Sequence, residues 1–221
     1  MIPQLSALQR RGDHREVVRA TIEILRSLAF IHFALYAFLM VCGRVFLTVL
    51  FTDAYAESWP IFAVNLTMLP VNVVMLDPIV RAYPQYRYFL LRVRVLFIVL
   101  LIALLWVGTV QLGMLGAILA MVIAMIGERV LLMVRIAADF EITAQDKEKL
   151  RETSKIAAAA ALAAVLTMIG QSLLTAMAPL ATLVVCAVLF GFAYLGAIVL
   201  LGVVQDEDLS RLRAIVARVR A

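Results

Sequence analysis

YFLLRVRVLFIVLLIALLWVGTV, residues 88–110, followed after Gln111 by LGMLGAILAMVIAMIGERVLLMVRI, residues 112–136, decides the fold. A helix crosses a hydrocarbon core in about 20 residues, and each run exceeds that with few charges. The connection around 111–113 is too short for anything but a reversal, so the pair predicts an antiparallel hairpin. Working outward, four more apolar runs cover residues 28–51, 59–81, 154–178 and 180–204, the last two joined at Pro179 as a second tight hairpin. The expectation is an all-α integral membrane protein, a bundle of about six transmembrane helices. Composition agrees: the 221 residues are 65% hydrophobic and 16% charged, with a mean hydropathy of +1.02. Soluble domains are about half apolar and a quarter charged, and the excess has to face lipid.

The charges orient the runs. Arg10, Arg11, Arg15, Arg19 and Arg26 precede the first; Arg81, Arg87, Arg92 and Arg94 cluster between the second and third. Arg135, Lys147, Lys149, Arg151 and Lys155 surround the fourth-to-fifth connection, and Arg211, Arg213, Arg218 and Arg220 close the chain. The alternate connections carry no basic residue, and 52–58 holds only Asp53 and Glu57. Basic loops stay cytoplasmic, which places both ends and both basic loops there. The organisation expected is a cytoplasmic amphipathic segment over 1–27, a six-helix domain over 28–204 and a basic cytoplasmic tail over 205–221. The net charge of +5 is thus an orientation signal, and no basic stripe with interleaved aromatics points to a nucleic-acid partner.

Within the lead segment, Val18, Ile22, Leu25 and Ala29 recur at helical spacing opposite Arg15, Arg19, Glu23 and Arg26, the pattern of an amphipathic helix at the membrane face. Residues 157–164 hold seven alanines and one leucine. Small residues let helix backbones approach closely where lipid offers no hydrophobic drive for association, so this stretch reads as a packing face. Gly113, Gly116, Gly191 and Gly196 read as further close-contact points.

Enzyme chemistry has no foothold in the sequence. There is no phosphate loop, no HExxH and no paired-cysteine motif, so no catalytic residue, metal or cofactor is assigned. Cys42 and Cys186 both fall in apolar runs and read as packing residues, as does His32. The informative polar residues are those inside the runs, because an Arg or Asp at a helix centre costs about 2.5–3.5 kcal/mol. Arg44 lies in the first run, and Glu128 and Arg129 in the inner half of the fourth. Adjacent helical positions point about 100° apart, so Glu128 and Arg129 do not pair with each other, and each needs a partner from another helix, headgroup snorkelling or a hydrated cavity. Asn65 and Asn72 are candidate polar groups in the second run. Asp77 and Arg81 read there as an i,i+4 structural ion pair, and Pro70 as a kink.

Several short stretches, in order, carry a resemblance. They are Pro3-Gln4-Leu5-Ser6-Ala7-Leu8 with Gly12-Asp13, Leu50-Phe51-Thr52-Asp53-Ala54-Tyr55 with Ser58-Trp59-Pro60-Ile61-Phe62, and Asp77-Pro78-Ile79-Val80-Arg81-Ala82. Gly113-Met114-Leu115-Gly116-Ala117 and Asp206-Glu207-Asp208-Leu209 complete the set. Together the chain resembles the C-terminal part of the Wzx-like lipid-linked oligosaccharide and polysaccharide flippases of the multidrug/oligosaccharidyl-lipid/polysaccharide (MOP) exporter superfamily.

That resemblance implies the C-terminal lobe of a MATE-like transporter plus two extra helices, in a bacterial inner membrane. The substrate implied is an isoprenoid-diphosphate-linked oligosaccharide moved outward for surface polysaccharide assembly. Arg44 and Arg129 would offset the diphosphate charge in a cavity with Glu128, Asn65 and Asn72, and the last two helices would flank a groove for the lipid tail. The family has two lobes and this chain supplies one, so the partners expected are the bilayer, the lipid-linked oligosaccharide and a missing N-terminal lobe or another chain. Two rival readings are a non-transporting subunit or scaffold of a polysaccharide assembly complex, and a fragment of a multidrug or cation exporter.

Overall fold

A computed structural model describes residues 14–73, 86–139, 144–174 and 177–203 of the chain. Among the described residues the regular structure is helical throughout. Helix α1, His14–Phe51, runs unbroken for 38 residues, so residues 14–27 of the charged lead segment form one helix with the first apolar run. It stops at Thr52, whose φ of 83° and ψ of 167° take the chain out of helical space. A 3₁₀ turn, Asp53–Ser58, leads to α2, Trp59–Leu66, which carries Pro60 in its first turn. A proline costs nothing there, because the amide hydrogens of a first turn lack helical partners anyway.

Helix α3, Met68–Val73, follows after a break at Thr67. Pro70 explains the break: it has no N–H for the Leu66 carbonyl four residues back, and its ring crowds that carbonyl. Thr67 closes the gap by donating from both its amide (3.2 Å) and its hydroxyl (2.6 Å) to the Val64 carbonyl. The described part of the run expected over 59–81 is therefore two short helices. The longer, of 8 residues, measures about 12 Å against a hydrocarbon core of about 30 Å. Asp77 and Arg81 lie outside the described residues.

Helix α4, Arg87–Asp139, is a hairpin folded at Gly113, whose φ of 60° and ψ of −137° suit a residue with no Cβ. Its arms, 87–112 and 114–139, return antiparallel. Near the turn the backbones of Gly108 and Gly116 touch, so that a Cβ on Gly116 would overlap the Gly108 carbonyl. Further down, Phe97 lies against Gly127, and Arg94 faces Glu128. The reversal expected at 111–113 is thus present, with Gly108 as the unforeseen half of its closest contact. Gly113, Gly191 and Gly196 correct the sequence reading of close-contact points: open space lies beside all three.

Helices α5, Ala144–Ser172, and α6, Pro179–Leu200, are the last described elements. Among the described residues four helices are long and apolar enough to cross a membrane, with α4 counted once although it doubles back. The core is the seam where α1, α5 and α6 meet. On α5, Ile156, Ala159, Ala160, Ala163 and Thr167 are buried, while Leu162, Val165, Leu166 and Ile169 are exposed. Alanines line the seam and the larger side chains face outward, the arrangement by which membrane helices pack on close backbone contact.

Helices α1 and α6 run antiparallel, their register marked by Phe30 against Tyr194 (centroids 5.4 Å apart) and Phe38 against Phe190 (5.5 Å). The end of α6 is a Schellman cap. Gly202 takes φ 61°, its amide bonds the Val199 carbonyl, and the Val203 amide bonds the Ile198 carbonyl, both at 3.1 Å. Arg26 of α1 then joins three helices: it donates to the Val203 carbonyl at 2.6 Å and meets Glu152 of α5 at 3.3 Å. The Arg26 region of α1, the beginning of α5 and the end of α6 therefore lie at one end of the bundle.

The α4 hairpin stands to the side of this core. It packs against α2 and α3, and those pack on α1, where Gly43 leaves room for the Trp59 ring. The most apolar stretch of α4 contains no buried residue, so it is a surface for lipid or for another protein.

Candidate functional site

Between the arms of α4 opens a cleft of about 370 Å³. Its apolar lining includes Phe97 and Leu101 from the first arm and Met125 and Leu132 from the second. Its charged wall is Arg94, Glu128 and Arg129. The hairpin places these groups. Glu128 and Arg129 lie 15 and 16 positions past Gly113, or roughly 24 Å along the arm at 1.5 Å per residue. That is most of a hydrocarbon thickness of about 30 Å, so the charges lie towards the end of the hairpin opposite its turn. Gly127 helps to shape the cleft: a Cβ there would meet the Phe97 ring at 2.7 Å, and its absence lets the ring lie against the second arm.

Each of the two adjacent charges finds a partner on a different element. The Glu128 Oε1 carboxylate oxygen meets Arg94 Nε at 3.6 Å, across the hairpin. Arg129 Nη2 reaches Asn72 Oδ1 on α3 at 3.4 Å. Successive positions on a helix diverge by about 100°, and the two contacts leave the second arm towards different elements, the first arm and α3. The Arg94 side chain is 45% exposed and that of Glu128 27%. This pair is half open and loosely held, since a strong charge-assisted hydrogen bond spans about 2.7–2.9 Å. Beyond it, Arg135 of the second arm stacks its guanidinium over Phe89 of the first, 6.0 Å from the ring centroid.

Of the residues singled out in the sequence, Glu128, Arg129 and Asn72 come together here. Arg44 lies exposed on α1 and Asn65 exposed on α2, and neither lines this cleft. The cleft is also distinct from α5 and α6, the helices expected to flank a lipid groove; those two join α1 in the core. Arg94 is the residue that sequence reasoning missed, because it merged into the basic cluster used for orientation. The hairpin itself held the signal. Folding the chain at Gly113 sets residues roughly equidistant from the turn side by side, which brings the 94–97 region opposite 127–132.

Chemically, the cleft offers guanidinium donors beside an apolar channel. Arg groups of this kind recognise phosphate and carboxylate oxygens, often through two parallel bonds. Among the described residues, no group of three or more His, Cys, Asp or Glu side chains gathers as a metal site. Cys42 and Cys186 are free thiols buried in the apolar interior, and the His32 ring bonds the Leu28 carbonyl of its own helix at 2.9 Å.

Fold and site together define an all-α, membrane-spanning protein with an arginine-bearing cleft in a lipid-accessible hairpin. Comparison with protein-family models, with curated proteins and with solved structures returned no match.

Proposed function

We propose that this chain is the C-terminal lobe of a Wzx-like flippase. It would handle an isoprenoid-diphosphate-linked oligosaccharide in a bacterial inner membrane, for surface polysaccharide assembly. The supporting observation is the α4 cleft, where Arg94 and Arg129 stand at one end of an apolar channel that suits a phosphate group carried on a hydrocarbon chain. The ordered sequence resemblance to that family points the same way. In this reading the chain crosses the membrane six times, with the 59–81 region as a broken span and the α4 arms as two. Both termini and the basic loops are cytoplasmic, as the arginine distribution requires.

The diphosphate engages the cleft at its cytoplasmic end, and no bond is made or broken. Arg44, on a different face, serves a second contact of the substrate or of a partner. Alternating access rocks one lobe against another, so translocation belongs to the assembly of this lobe with an N-terminal lobe or another chain. The test is reconstitution in vesicles with a fluorescent isoprenoid-diphosphate oligosaccharide. Saturable binding without transbilayer movement is the expected result. Absence of binding overturns the substrate assignment, and rapid movement by this chain alone overturns the two-lobe reading.

A further inference from the structure

We propose that Glu128 is a built-in counter-ion that competes with a phosphate-bearing ligand for Arg94, keeping the cleft's grip weak enough for release. The inference rests on the reading that the cleft takes the diphosphate end of an isoprenoid lipid.

Three observations carry it. First, the cleft wall holds two guanidiniums and one carboxylate, so Glu128 cancels part of the field that an anion would feel. Second, the carboxylate is held across the hairpin at 3.6 Å, with both side chains partly exposed. That geometry falls short of a tight charge-assisted bond, and a pair of this openness exchanges partners at little cost. Third, Arg129 Nη2 also reaches the Asn72 amide oxygen at 3.4 Å, a contact from α3 that helps to fix where this guanidinium stands in the cleft wall. An incoming diphosphate would engage both arginines and displace the carboxylate, which then repels it. A carrier needs this balance, because a site that conducts must bind well enough to load and weakly enough to leave.

A purely structural ion pair predicts the reverse. Neutralising Glu128 would then loosen the hairpin and leave ligand affinity unchanged or lower. The two roles separate in one experiment, equilibrium binding of geranylgeranyl diphosphate to the full chain in nanodiscs of zwitterionic lipid. The proposal expects Glu128→Gln to tighten binding roughly tenfold, the scale of one nearby unit charge at partly exposed sites, and Arg129→Gln to weaken it by a similar factor.

The double variant Arg94→Gln/Glu128→Gln guards against misfolding from an unbalanced Arg94; it is expected to bind more tightly than Arg94→Gln alone. Inorganic pyrophosphate, run in parallel, separates a lipid-borne diphosphate from a free one. Much weaker binding of pyrophosphate, with the same gain from Glu128→Gln, supports the proposal as stated. Equal binding of both probes overturns the lipid part. If Arg129→Gln loses binding while Glu128→Gln brings no gain in either background, the cleft assignment survives and the counter-ion role fails. If no variant binds either probe, both fail.

Discussion

The Tyr194 hydroxyl of α6 donates a hydrogen bond to the Phe30 main-chain carbonyl of α1 at 2.8 Å, across the three-helix seam. The two rings also pack, tilted by 55° with centroids 5.4 Å apart. Tyr194→Phe keeps the ring contact and removes only the hydrogen bond. Bonds between membrane helices average about 0.6 kcal/mol, because the unfolded chain in lipid also finds partners. The expected loss is therefore about 0.5–1 kcal/mol, read from unfolding in mixed detergent–SDS micelles. Tyr194→Ala removes the packing as well and should cost several-fold more.

The alanine face of α5 makes a sharper prediction. Ala163 is fully buried between helices, whereas Ala161, two positions away, is exposed. Ala163→Leu forces an oversized side chain into a closed seam, at a cost of about 1–3 kcal/mol. Ala161→Leu adds the same side chain on the outer face, and the same unfolding assay should leave it within about 0.5 kcal/mol of the parent.

Arg26 tests how the helix ends are tied. Arg26→Ala removes the guanidinium that meets the Glu152 carboxylate, itself only 20% exposed, and the donor to the Val203 carbonyl. Hydrogen bonds to charged groups contribute about 1.5–3 kcal/mol, so a loss of about 2 kcal/mol is expected. Adding Glu152→Gln to Arg26→Ala removes the carboxylate charge that faced Arg26. Part of the stability should then return in a thermal-melt comparison, and a further drop would contradict this account.

Glycines with contacts and glycines without should behave oppositely. Gly116→Ala drives a Cβ into the Gly108 carbonyl and should lower the melting temperature by several degrees. Gly191 lies within α6 with nothing near its missing Cβ. Gly191→Ala should stabilise by about 0.5–1 kcal/mol, through the lower entropy of its unfolded chain.

Cys42 and Cys186 are 1% and 0% exposed. A membrane-permeant maleimide should label neither thiol in the folded protein and both after SDS unfolding, with mass spectrometry as the readout. Fast labelling of the folded chain would contradict the packed α1–α6 register.

Much of the fold was legible because a bilayer imposes so few options. Apolar runs longer than a hydrocarbon thickness must be helical, since lipid satisfies no backbone hydrogen bond, and 28–51, 88–136, 154–178 and 180–204 all contain such helices. A connection as short as 111–113 must reverse, and it does at Gly113. The alanine face of α5 was legible for a related reason, small residues being what close helix packing demands. The run over 59–81 was harder to read, because hydropathy is blind to the backbone bond that Pro70 removes.

The candidate site divides along the same line. From the order of residues alone it followed that Glu128 and Arg129 were costly in an apolar run and pointed apart, so that each needed a partner on another helix, a headgroup or a hydrated cavity. Who those partners are, Arg94 across the hairpin and Asn72 on α3, emerged only from the packed helices. So did the position of Arg44 and Asn65 outside the α4 cleft. The reason is physical: hydropathy and charge along a chain set each helix and its depth, whereas rotation about the helix axis is set by side-chain packing against neighbours. Which polar groups meet depends on that rotation.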